Sequence, residues 1–140
     1  MRKPLILIVE DDDATAECLT DVLRTEGYDT QTLSMPDTVE AVRSTQPDLI
    51  LLDLVFPDSK GEDLLHAVRR DRELNQLPVI LVSAVPRLAD IAATLPVQGY
   101  VSKPFELDQL LKAVGSLCQH PCLSGAGSGL HLSVGLAHNL

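Results

Sequence analysis

The chain has 140 residues, enough for one domain with a sizeable core, and its 45% hydrophobic content exceeds what a disordered segment needs. Its net charge is −9, from 20 acidic against 11 basic residues, and aromatics make up only 3%. Those values supply neither a basic stripe to neutralise phosphates nor stacking platforms for bases, so direct nucleic-acid binding is not expected.

No run approaches the ~18 apolar residues of a membrane span, and no membrane role is expected. Met1-Arg2-Lys3-Pro4 before an apolar run has the outline of a signal peptide. The run ends at Val9 in four acids with no small-residue cleavage site, so the chain reads as cytoplasmic. Cys18, Cys118 and Cys122 are an odd and sparse set, against a disulfide framework. Cys118 and Cys122 with His131 and His138 match no zinc spacing and read as incidental.

In chain order, Leu5-Ile-Leu-Ile-Val9 is too short for a helix and fits a strand buried on both faces. The acids Glu10 to Asp13 follow it, with Asp12 and Asp13 suited to a helix N-cap and first turn. A helix over 14–26 carries Leu19, Val22 and Leu23 on one face and stops at Gly27, a C-cap choice. Residues 28–33 alternate polar and apolar, as an edge strand would. Ser34 and Pro36 open a second helix with Val39 and Val42 inward, ended by Pro47.

Leu49 to Leu52 is the second buried run, closed by Asp53, after which Pro57, Asp58 and Gly61 turn the chain. A third helix over 61–72 places Leu64, Leu65 and Val68 inward. Residues 78–82 form the next buried strand, closed by Ser83; a short helix over 88–95 is fenced by Pro86 and Pro96. A fifth strand over 99–102 ends at Lys103-Pro104, and a last helix over 106–118 carries Leu107, Leu110, Leu111, Val114 and Leu117 at helical spacing. Strands alternating with helices predict a parallel sheet with right-handed crossovers and helices on both faces. From Pro121 the composition turns to Gly, Ser and His. Residues 1–120 are therefore expected to form the domain and 121–140 a flexible tail, with a short docking segment in 130–140 as the alternative.

The chemistry lies in what closes the strands. Glu10, Asp11, Asp53, Ser83 and Lys103 all stand at carboxyl ends, which a parallel sheet brings to one crevice. Two like charges about 4 Å apart repel by roughly 4 kcal/mol at an effective dielectric near 20, so three carboxylates beside one ammonium favour a divalent cation. Oxygen ligands without His or Cys point to Mg²⁺, and metal, ammonium and hydroxyl together form a clamp suited to phosphoryl transfer onto Asp53.

At these residues the chain resembles the receiver domain of two-component response regulators, across most of its length, residues 3–118. The resemblance rests on Ile-Val-Glu10-Asp11-Asp12, on Leu-Leu-Asp53-Leu-Val-Phe-Pro57 followed by Gly61, on Val-Ser83-Ala84, and on Tyr100-Val-Ser-Lys103-Pro104-Phe105. It implies a CheY-like, flavodoxin-like α/β fold with strand order 2-1-3-4-5. It implies that Asp53 receives a phosphoryl group from a sensor histidine kinase or a histidine phosphotransfer protein, and that the surface then switches for a downstream protein target. Asp11, Asp53 and the Val55 carbonyl would hold Mg²⁺ directly, and Glu10 through water. Lys103 and Ser83 would bond the phosphoryl oxygens, Ala84 would leave them room, and Tyr100 would turn inward with Ser83 as the switch. The Lys103-Pro104 peptide would be cis.

Val55 and Val85 occupy the positions that tune phosphoryl lifetime in this family; both are apolar and unable to orient a water, so slow self-dephosphorylation is expected. The chain departs from the family pattern at Leu95-Pro96-Val97-Gln98, where a longer fourth helix and a Gly-Ala corner usually stand. The departure bears on the fourth-helix face on which many members pair or bind targets, and tells against the usual use of that face; a homodimer stays an open alternative, and no output domain is expected within the chain.

Two other classes share the fold. An aspartyl-nucleophile phosphatase has a second Asp two residues after the first, where this chain has Val55. A flavodoxin-type cofactor binder needs a phosphate-cradling loop after the first strand, where this chain has acids that would repel phosphate. A receiver-like module that is never phosphorylated would not need the full acidic set.

Overall fold

The computed structural model describes residues 3–34, 39–54 and 60–118. The tail 121–140, Cys122, Pro36, Val55, Pro57 and Asp58 lie outside the described residues.

Among the described residues ten elements alternate as expected: β1 (Leu5–Val9), α1 (Asp13–Thr25), β2 (Asp29–Leu33), α2 (Val39–Thr45), β3 (Leu49–Leu52), α3 (Lys60–Arg70), β4 (Val79–Ser83), α4 (Leu88–Thr94), β5 (Gly99–Ser102) and α5 (Leu107–Leu117). All strand pairings are parallel, in the order β2-β1-β3-β4-β5. The flavodoxin-like doubly wound class is thus confirmed.

The uninterrupted apolar runs follow from that order. An inner strand of a parallel sheet is covered on both faces, and successive side chains alternate between them. Leu7, Val9, Ile50, Leu52, Val79 and Leu81 join α2, α3 and α4 through Val42, Leu64, Leu65, Val68, Leu88 and Ala92. Ile6, Ile8, Leu49, Leu51, Ile80 and Val82 join α1 and α5 through Leu19, Leu23, Leu110, Ala113 and Val114. Fully burying one such Leu or Ile side chain stabilises by about 1.5–3 kcal/mol, so these two layers hold the domain together.

The helix ends show local causes. Asp12 is the N-cap of α1, its Oδ2 accepting the Thr15 amide at 2.9 Å. At the other end Gly27 takes φ 98°, a left-handed value that costs glycine nothing. The Gly27 amide then donates to Arg24 O and the Tyr28 amide to Leu23 O, both at 3.0 Å, which closes the helix. Tyr28 is buried in the α1/α5 layer rather than belonging to the edge strand.

Two further expectations change, both in helices. The third helix stops at Arg70 rather than at 72, because Asp71 leaves it to accept the Glu73 amide at 2.8 Å and to pair with Arg43 of α2. Leu107 is 46% exposed, so the buried stripe of α5 is narrower than its leucine spacing suggests. The Lys103-Pro104 peptide is cis.

Candidate functional site

The ladder hydrogen bonds carry on one residue past the strands, and this aligns the candidate side chains. The Glu10 amide donates to Leu33 O at 3.0 Å, the Asp53 amide to Val9 O at 3.1 Å, and the Lys103 amide to Ser83 O at 2.9 Å. Glu10, Asp53 and Lys103 therefore leave the sheet at one edge, on backbone fixed by neighbouring strands.

Their side chains meet. Lys103 Nζ donates to Glu10 Oε1 at 2.7 Å and to Asp53 Oδ2 at 2.9 Å. Glu10 Oε2 accepts the Asp12 amide at 3.1 Å. Glu10 and Asp53 are buried, at 3% and 4% exposure, while Asp11 beside them is exposed. Burial pushes the Glu10 carboxyl above its ordinary range, against the opposing pull of Lys103 and the Asp12 amide. Burial works against the Lys103 charge too, but hydrogen bonds to Glu10 and Asp53 outweigh it and raise the ammonium pKa. The ammonium is thus retained, and the carboxylates compete for it.

One oxygen each of Glu10, Asp11 and Asp53 lies within 4.8 Å of the others. Three hard oxygen donors, one of them on exposed Asp11, fit a small divalent cation that keeps part of its water. The Ser83 hydroxyl at the end of β4 is fully buried and has no hydrogen-bond partner among the described residues. A buried hydroxyl left unsatisfied is costly, which suits a group that gains a partner in another state.

The other expected residues lie around this centre. Ala84 is exposed directly after Ser83, and Val85 is half-buried against the α2/α3/α4 layer. Tyr100 is half-buried and packs on the same layer. Val55 lies outside the described residues.

The sequence did not single out Arg69, whose guanidinium Nε donates to Pro96 O at 2.8 Å and whose Nη1 donates to Leu77 O at 2.7 Å. Its Nη2 donates to Gln98 Oε1 at 2.8 Å, and that same oxygen accepts the Val79 amide at 2.8 Å. A charged helix residue bonding loop carbonyls leaves no periodic trace in sequence. Its only signal was the Pro96-Val97-Gln98 departure.

The pattern of the response regulator receiver domain matches residues 6–115. The DNA-binding response regulator MtrA of Mycolicibacterium smegmatis is 38% identical over 78% of this chain and 48% of its own length. With 56% of another relative covered, the chain spans about half the length of the curated relatives it matches. Among solved structures, a response regulator from Chloroflexus aurantiacus superposes with a TM-score of 0.72 at 30% identity, covering 83% of this chain and 98% of that one. The receiver domain of the sensor histidine kinase PA1611 of Pseudomonas aeruginosa, with a magnesium ion coordinated in its active site cleft, gives 0.70 at 25% identity, over 82% and 97%.

Proposed function

This chain belongs to the response regulator receiver domain family, a family of signalling domains that work with histidine kinases, and from that membership we propose that Asp53 is its phosphoacceptor. The observation that carries the reading is the meeting of Asp53, Glu10 and Lys103, from three strand ends, within hydrogen-bond distance.

In the proposed reaction a carboxylate oxygen of Asp53 attacks the phosphorus of a phosphohistidine on a sensor kinase or histidine phosphotransfer protein. An oxygen–phosphorus bond forms, the nitrogen–phosphorus bond breaks, and the imidazole leaves with its electron pair and takes up a proton. Lys103 shifts from the free carboxylate to the incoming phosphoryl oxygens, holding charge where it accumulates. Burial of Asp53 keeps bulk water from the acyl phosphate.

Asp11, Asp53 and the Val55 carbonyl are the proposed direct holders of Mg²⁺, with Glu10 acting through water; when bound, the cation offsets the charge of carboxylates and phosphoryl oxygens. The Ser83 hydroxyl takes a phosphoryl oxygen as its missing partner, and Ala84 leaves that oxygen room. Tyr100 turns inward as Ser83 moves, and the altered face is read by a protein target or a second copy. The domain promotes its own phosphorylation and a slow dephosphorylation. We place it in the cytoplasm; no described helix is long and apolar enough to cross a membrane.

The test is intact mass after incubation with a small phosphodonor and Mg²⁺. A gain of one phosphoryl group, dependent on Mg²⁺ and lost in Asp53→Ala, is expected. Unaltered wild-type mass across several donors overturns the reading in favour of a module that is not phosphorylated.

A further inference from the structure

Strand β5 pairs with β4 alone and is four residues long, beginning with Gly99. Lys103 follows it directly, so where β5 stands against β4 decides where the ammonium arrives. A backbone ladder looks the same after a slip of two residues, so it holds strands together without selecting a register. Tyr100 and Val101 turn to opposite core layers, which selects the face of each but not the β4 residue beside it. A two-residue slip would carry Lys103 about 7 Å along the strand. Its bonds of 2.7 and 2.9 Å to Glu10 and Asp53 could not survive that.

The register is set at the entry to the strand. Gln98 takes both backbone groups of Val79: its amide donates to Val79 O at 3.0 Å, and its Oε1 accepts the Val79 amide at 2.8 Å. Arg69, at the end of α3, then holds Gln98. Its Nη2 donates to the same Oε1 at 2.8 Å, so two donors face that atom and the side-chain amide cannot turn its nitrogen toward them. Its Nε reaches Pro96 O at 2.8 Å and its Nη1 reaches Leu77 O at 2.7 Å. Leu77 stands just before β4 and Pro96 just before β5, so one planar guanidinium spans the entries of both strands. Among the described residues Arg69 bonds only neutral oxygens, and burial pulls its pKa down. A cation half-buried without a carboxylate costs stability that packing alone would not require.

We propose that Arg69 is a positioning residue for Lys103: with Gln98 it locks the start of β5 against the start of β4, and so sets the point from which the ammonium reaches Asp53 and Glu10. The Pro96-Val97-Gln98 segment, where the chain departs from the family pattern, supplies two of the oxygens in this lock. The consequence for reaction rests on Asp53 being the phosphoacceptor; the positioning itself does not.

Acetylation of the folded full chain, read lysine by lysine by mass spectrometry, tests the lock. Lys103, its side chain 19% exposed and bonded to two carboxylates, should label slowly beside exposed Lys3 and Lys112. Arg69→Met should speed labelling of Lys103 by about fivefold or more and leave Lys3 and Lys112 unaltered. Should Arg69→Met fail to fold, Gln98→Met removes the shared oxygen alone and carries the same expectation. Gln98→Glu keeps an oxygen for both Val79 and Arg69 and should label as wild type does. Leu23→Ala, a core truncation in the opposite layer that also lowers the melting temperature, should leave Lys103 at the wild-type rate. Unaltered Lys103 labelling in the methionine variants, or equal acceleration in Leu23→Ala, overturns the positioning role. With a small phosphodonor and Mg²⁺, Arg69→Met should gain its phosphoryl group about tenfold more slowly than wild type; equal rates overturn the consequence for reaction. A wild type that gains no mass while the labelling follows expectation sinks the phosphoacceptor reading and leaves the lock standing.

Discussion

Lys103 and Asp53, 50 residues apart in the chain, are joined by a 2.9 Å hydrogen bond from ammonium to carboxylate. The same ammonium holds Glu10, so one cation serves two buried acids. Lys103→Met should therefore destabilise the metal-free protein at pH 7 by about 2 kcal/mol, less than the ~3–5 of a fully buried pair because the lysine is partly exposed. Burial already raises the Glu10 carboxyl against the pull of Lys103, and without the ammonium it binds a proton still more readily when folded, so the deficit should shrink as pH falls toward 5. Urea melts at the two pH values check this; a deficit equal at both would mean that the ion pair contributes little.

A cation that binds only the folded carboxylates must stabilise the fold by mass action. At 100 times its dissociation constant the gain is about 2.7 kcal/mol. Melting curves of wild type should rise with added Mg²⁺ in the absence of any phosphodonor. Asp11→Ala should show a much smaller rise. Identical shifts in the two proteins would exclude Asp11 from the site.

Tyr28 supplies a pH dependence far from the site. Burial, then the nearby Cys118 and Glu26, push its phenol well above the ordinary value of 10.0. The folded protein therefore keeps a proton that the unfolded chain releases. Stability from this group is complete below pH 10 and is lost progressively as pH rises toward the folded value. Tyr28→Phe should flatten the alkaline limb of a stability–pH curve relative to wild type. Parallel limbs would show that the phenol does not govern it.

Phosphoryl lifetime is the third property of the proposed centre open to measurement. Val85 is half-buried against the core and offers no polar group to an attacking water; Val55 has the same chemistry. Val55→Asn and Val85→Glu together should shorten the lifetime of phosphorylated Asp53, about tenfold for each 1.4 kcal/mol removed from the barrier. Decay of phosphoprotein after donor removal at saturating Mg²⁺ reads this. Wild-type decay within seconds, or a double variant that decays no faster, would refute the role of the two valines.

The fold was legible because its inner strands are unbroken apolar runs. Leu5 to Val9 and Leu49 to Leu52 could not be solvated on either side, which dictates a parallel sheet covered twice. The polar residue closing each run marked the crevice before any geometry was known. Side chains that bond backbone at a distance stayed hidden. Arg69 looks like one more surface charge on α3, and nothing in its spacing announces carbonyls at Leu77 and Pro96. Leu107 misled in the opposite sense, since leucine periodicity does not reveal where a helix leaves the core. That the Ser83 hydroxyl has no partner among the described residues is also invisible in sequence, because it depends on what surrounds the hydroxyl rather than on the residue.

Glu10, Asp53 and Lys103 each donate their own amide to an adjacent strand or strand end. The three side chains are thus fastened to the frame, and, Arg69 apart, the helices further along each crossover do not set the spacing between them. Lengthening or exchanging a crossover past such a fastening, with Arg69 kept, should leave the spacing between Lys103 and Asp53 intact. A frame of this kind can be fitted with new recognition surfaces, by evolution or by grafting, without recalibrating its chemistry.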